Sequence, residues 1–112
     1  MEKQSKEFLL SEEQDWQQAD EGIERQLLGH NGQLMMAKIA FRKGAVGTLH
    51  NHPHVQASYV ASGRFKVLIN GKEKILNQGD GFFVTAGIPH GCECLEEGML
   101  IDVFAPARED FL

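Results

Sequence analysis

Two Asn-Gly dipeptides, Asn31-Gly32 and Asn70-Gly71, each stand between runs of apolar and β-compatible residues. Asn-Gly suits a two-residue hairpin turn, because both residues tolerate the positive φ that such a turn needs. The first joins IERQLLGH (23–30) to LMMAKIAF (34–41), and the second joins RFKVLI (64–69) to KEKIL (72–76). RKGAVG (42–47) reads as a loop, Ser62-Gly63 as a break between VQASYVA and RFKVLI, and NQGDG (77–81) as a further turn. FFVT, PHGCECL and MLIDVFA complete the set. No stretch carries a convincing helical stripe. Eight or nine short strands with glycine-bearing turns predict an all-β chain, an antiparallel sandwich or small barrel. Small barrels hold ligands in their mouths.

At 112 residues the chain fits one domain able to bury a core without disulfides. Residues 1–22 are mostly polar and acidic and are expected to form a loosely packed arm, leaving 23–112 as the single domain. A net charge of −5 argues against nucleic acid as the main partner. No apolar run approaches a membrane span, and MEKQSKEFLL is too weakly apolar for a signal peptide, so a cytoplasmic location is expected. Cys92 and Cys94 flank one residue, a poor spacing for a disulfide, and read as free thiols.

Three of the five histidines fall in HNHPHVQ, residues 50–56. Alternation is the period of a strand, so His50 and His52 are expected on one face, as half of a metal site. The blander reading is a solvated polar turn. His54 follows Pro53, which cannot donate to a ladder, and reads as a rim histidine. His30 reads as a solvated turn residue.

The spacings extend further. Gly44, His50, His52, Gln56 and Gly63 form one block; Gly79, Thr85, Gly87 and His90 form another. Together they resemble the two motifs of the cupin family, G-x5-H-x-H-x3,4-E-x6-G and G-x5-P-x-G-x2-H-x3-N. The resemblance implies a double-stranded β-helix (jelly-roll) barrel and one divalent metal, held by His50, His52, Gln56 and His90. This chain has Gln56 where glutamate is usual, Thr85 where proline is usual, and Cys94 where asparagine is usual. A neutral amide in place of a carboxylate leaves the metal its full charge. That favours polarising an oxygen of an anionic substrate over the carboxylate-bearing triad of iron oxygenases. Nickel, zinc, iron, cobalt and manganese all suit such a donor set. Cys92 and Cys94 share the strand parity of His90, so both could face the cavity as fillers or, less simply, as thiolate ligands.

GAVGTLHNHPHVQ and DVFAPARED (102–110) are similar to the pectin-degradation branch of the cupins, over about Gly22 to Leu112. That likeness implies a small anionic sugar substrate, a 4,5-unsaturated uronate converted to 5-keto-4-deoxyuronate. It also implies Asp102, Phe104 and Arg108 near the site, and a homodimer. Strand parity agrees in part, placing Leu100, Asp102 and Phe104 on one face. Asp102 is then the candidate proton carrier, with a structural ion pair as the alternative. Arg108 is the candidate holder of a substrate carboxylate, against an ion pair with Glu109 or Asp110. Phe104 is a cavity wall or plain core, and Tyr59, off the parity of Gln56, faces outward. Two other functions compete: a small metal-dependent dioxygenase, and a non-catalytic sugar- or metal-binding cupin. The 112 residues hold no helix-turn-helix pattern, which argues against a transcriptional sensor.

Overall fold

Alternation settles which residues go inside. In a computed structural model describing residues 3–112, the strands are β1 (Trp16–Asp20), β2 (Ile23–His30), β3 (Met35–Phe41), β4 (Val46–His50), β5 (Val55–Ile69), β6 (Lys72–Asn77), β7 (Gly81–Val84) and β8 (His90–Ala105). Along β3, Met35, Ala37, Ile39 and Phe41 are buried while the residues between them are not, the period-2 signature of a sheet with one face on a core.

All pairings are antiparallel. β5 and β8 pair along their whole length, from Val55 opposite Ala105 to Ile69 opposite His90. The first half of β5 also pairs with β7 and its second half with β6. The last part of β8 pairs with β3, and its start with β4. The β5–β8 ladder therefore passes from one layer of a jelly-roll barrel to the other. Phe41, Phe65, Val60, Val67, Cys94 and Leu100 fill the space between, and Phe41 meets Phe65 edge-on at 5.1 Å.

Several expected breaks are bridged. Ser62-Gly63 is no turn: β5 runs through it as one strand, with the register shifting between Val60 and Phe65. Gly63 sits at φ +83°, and a Cβ there would meet Glu96 O and Gly98 Cα at 2.6 Å. The residue is a bulge at the bend, where β8 comes too close for a side chain. PHGCECL and MLIDVFA likewise belong to one strand, β8. Asn70-Gly71 makes the expected two-residue turn, with φ of 51° and 79° and Ile69 opposite Lys72. At Asn31-Gly32 the loop instead runs from residue 31 to 34, because Asn31 Oδ1 accepts from the backbone N–H groups of Gln33 and Leu34. That local bond competes with the tight turn.

Residues 1 and 2 of the expected arm lie outside the described residues. The rest is better held than its composition suggested. β1 pairs with β2, and Ser5 N–H donates to His30 O at 2.9 Å. Gln26, fully buried, donates from its amide to the carbonyls of Ser11 and Gln14. His30, read from sequence as a turn residue, ends β2. No helix among the described residues is long and apolar enough to cross a membrane.

Candidate metal centre and its cavity

His50 closes β4, where it pairs with His90, the first residue of β8. His52 lies past the end of β4, in the loop that Pro53 interrupts, so the two histidines do not share a strand face as alternation suggested. The loop is fixed from outside: Gly87 N–H donates to His52 O at 2.8 Å. Ring centroids of His50 and His90 stand 4.5 Å apart and those of His52 and His90 4.8 Å. One ring nitrogen from each of the three lies within 4.8 Å of the others.

The hydrogen bonds select those nitrogens. His50 Nδ1 meets the carbonyl of Thr48 at 2.7 Å, and His90 Nδ1 meets that of Ile88 at 2.9 Å. A carbonyl only accepts, so Nδ1 carries the proton and Nε2 keeps its lone pair. His90 Nε2 is buried and has no hydrogen-bond partner among the described residues. His52 carries a sharper conflict. Its Nδ1 lies 3.1 Å from His54 O and its Nε2 3.0 Å from Gln56 Oε1. Both partners are acceptors, and a neutral imidazole has one N–H to give. Burial pushes the pKa of His52 down, and that of His90 too, against the doubly protonated ring that would satisfy both. A cation among these atoms removes the conflict, so the donor set fits a metal.

Gln56 cannot turn its amide around to help. Its Nε2 donates to Ser58 Oγ at 3.0 Å, and Ser58 Oγ donates to Asp102 Oδ1 at 2.6 Å. An ionised Asp102 accepts only, which orients the hydroxyl and then leaves Gln56 Oε1 toward the histidines. Asp102 is 7% exposed. Burial raises its pKa to about 6, against the opposing pull of the Ser58 bond and of Arg108.

A cavity of about 340 Å³ joins these groups, with His50, Gln56, His90, Asp102, Phe104 and Arg108 in its wall. A wider groove of about 1160 Å³, lined by residues such as Arg42, Lys43 and Glu97, holds none of the site histidines. Phe104 is buried, edge-on to His52 at 6.0 Å. Arg108 forms a two-pronged ion pair with Asp110, Nε to Oδ1 at 3.0 Å and Nη2 to Oδ2 at 2.8 Å, so the expected local ion pair is present in an arginine that also lines the cavity. Asp102, by contrast, has Ser58 as its hydrogen-bond partner. Cys92 lines the cavity with its thiol pushed up to about 12 by burial. Cys94 packs into the core and donates to Glu96 O at 3.0 Å. His54 falls outside the histidine group, and Tyr59 is exposed.

Three neighbours escaped the sequence reading. Ser58 had a signal, since it shares the strand parity of Gln56. Arg25 and Phe111 had none, being brought to the cavity from β2 and from the turn after β8.

Residues 37–104 match the cupin domain family. The chain is 42% identical over 107 residues to the pectin degradation protein KdgF of Dickeya dadantii, covering 94% of this chain and 97% of that one. Its fold matches the crystal structure of an RmlC-like cupin from Shewanella frigidimarina with a TM-score of 0.95 and 47% identity, over 97% of this chain and 98% of that chain. The structure of KdgF from Halomonas sp. matches with a TM-score of 0.91 and 38% identity, over 96% of this chain and 100% of that chain.

Proposed function

The chain belongs to the cupin family, among the pectin-degradation cupins, and from that premise we propose that it is a metal-dependent enzyme converting 4,5-unsaturated uronates to 5-keto-4-deoxyuronate. The observation that carries this reading is the hydrogen-bonded line from Gln56 through Ser58 to the buried Asp102, which leaves Gln56 Oε1 beside His52 Nε2 while Gln56, Asp102 and Arg108 line one cavity. His50, His52, Gln56 and His90 would hold the metal, which supplies Lewis-acid polarisation of a substrate oxygen when bound.

The conversion is an isomerisation. The C1 hydroxyl loses a proton, the bond from C1 to the ring oxygen breaks, the ring oxygen becomes the C5 carbonyl, and C4 gains a proton. No co-reactant is consumed. A group that both takes and gives a proton near neutrality is therefore needed, and a carboxyl with a pKa of about 6 meets that need. Asp102 carries the proton, and the Ser58 hydroxyl holds its carboxylate in place. Arg108 binds the substrate carboxylate with its planar guanidinium. Phe104 walls the cavity against water.

We assign the protein to the cytoplasm, in keeping with the free thiols of Cys92 and Cys94. We also assign it a homodimeric state, in keeping with the outward Tyr59, Phe83 and Met36; sedimentation at micromolar concentration tests the latter.

Metal analysis and loss of the double-bond absorbance of unsaturated uronates test the activity together. His52→Ala is expected to lose most of the metal while keeping the barrel's circular dichroism. Full metal content in a His50→Ala, His90→Ala double variant would reject the ligand set. Asp102→Asn is expected to retain metal and lose turnover by roughly 10²-fold. Turnover near the parental rate in that folded, metal-loaded variant would reject the proton role.

A further inference from the structure

The residues around Arg108 do more than hold it still. Its side chain is 13% exposed and lines the cavity, whereas the Asp110 side chain that grips it is 59% exposed. The guanidinium belongs to the site, and its carboxylate partner reaches in from solvent. A second guanidinium stands beside it. Arg25 lines the same cavity, with its Cζ 3.7 Å from the centre of the Phe111 ring; Arg108 Cζ lies 4.3 Å from that centre. Arg25 Nε donates to Gln17 Oε1 at 2.9 Å, while its two Nη groups make no hydrogen bond among the described residues. The Asp110 carboxylate lies in the field of both arginines. The hydrogen bond from Arg108 holds its pKa below the ordinary value, and Asp110 in turn opposes the fall that burial imposes on Arg25.

We propose that Asp110 is an internal stand-in for the substrate's carboxylate, displaced when an anionic sugar binds, and that Arg25 is the second cation receiving that sugar. This rests on the reading of the cavity as a uronate site. The exchange replaces one carboxylate on Arg108 by another, so the guanidinium is never left unpaired at the cavity wall. A neutral sugar has nothing to offer in exchange for Asp110. The pair therefore selects for charge as well as holding Arg108 ready. The Phe111 ring contacts both guanidiniums, an attraction that offsets part of their mutual repulsion.

Calorimetric binding of galacturonate, a saturated uronate, to the metal-loaded full chain tests the proposal, with galactose as its neutral counterpart. Asp110→Asn should tighten galacturonate about three- to five-fold, the scale of a mostly exposed ion pair removed from competition. Arg25→Gln should weaken it about ten-fold, and Arg25→Lys should recover part of that loss. Galactose binding should respond to neither change. Thermal melting of each variant confirms that folded protein is compared. Unchanged or weaker galacturonate binding in Asp110→Asn overturns the stand-in, as does galacturonate that no variant binds. Unchanged binding in Arg25→Gln overturns the second cation. The expected binding pattern in a protein that leaves the 4,5 double bond of unsaturated uronates intact would uphold the exchange and reject the proposed reaction.

Discussion

Gln56 and Ser58 lie on the inner face of β5 at 6% and 7% exposure; Phe65 and Val67, on the inner face of the same strand beyond its bulge, lie at 0% and 3%. The two stretches are buried almost equally, yet one is a hydrogen-bonded line ending at Asp102 and the other is apolar packing. Burial alone does not separate core from site. What separates them is the partner each side chain demands. Phe65 needs only contact, which Phe41 supplies. Gln56 needs an acceptor for its N–H and a cation or donor for its oxygen; Ser58, two residues along the same strand, meets the first demand and is itself held by Asp102 from the strand opposite. The polar stretch forgoes hydrophobic stabilisation that apolar residues would have given it, which is the usual cost of a site.

The contrast can be broken most severely from the apolar side. Phe65→Ala should destabilise the fold by about 3–5 kcal/mol, because a fully buried ring leaves a cavity that its neighbours only partly close. Denaturant unfolding measures this, and metal content per folded molecule should hold at the parental level. A loss of metal in the folded fraction would show that the two stretches are not independent.

A smaller effect sharpens the contrast through pH. Asp102 has a folded pKa of about 6 against an ordinary 3.8, so the folded state binds its proton more tightly than the unfolded one. The contribution to stability is complete below about pH 4 and is lost as pH rises to about 6, roughly 3 kcal/mol in all. His52 and His90, with lowered pKa values, act in the opposite sense, stabilising as pH rises toward neutrality. The difference between parent and Asp102→Asn, both metal-free, isolates the carboxyl. That difference should change steadily between pH 4 and 6 and be flat above. A flat difference throughout would mean that Asp102 titrates alike in the folded and unfolded chain.

The smallest change is Ser58→Ala. It removes one hydroxyl and strands two buried polar groups, at a cost of about 1–2 kcal/mol. It should also move the pH window of the Asp102 contribution upward, since the Ser58 bond is what favours the ionised form. Val67→Ala at comparable burial should cost stability with no shift of that window.

The histidine blocks, the strand runs and the outward Tyr59 were legible because they rest on local spacing. His50, His52 and His90 do converge, although by a loop and two strand ends rather than by alternation along one strand. The pairing of both blocks was visible; the backbone bond from Gly87 to His52 that locks them together was not. Where sequence misled, a local competitor or a long-range contact had prevailed. Asn31 spent its side chain on its own loop, and Gly63 served a close approach by β8 instead of a turn. The grouping of Arg25 with Phe111 and Arg108 could not be read from spacing, since β2 and the turn after β8 meet only through the barrel.

The place of β8 has a consequence for how the protein is made. β8 is the shared neighbour of β3, β4 and β5, and it leaves the ribosome after the other described strands. Until residues 90–105 have emerged, β3 and β4 have no partner there, and β5 lacks the ladder that runs its full length. Synthesis at roughly 5–20 residues per second leaves the earlier strands waiting for seconds with open edges. The nascent chain is thus exposed to β-pairing with neighbours until one late segment pairs with β3, β4 and β5 together. Slowing translation within codons 90–105 should lower the soluble yield more than the same pause placed within β2.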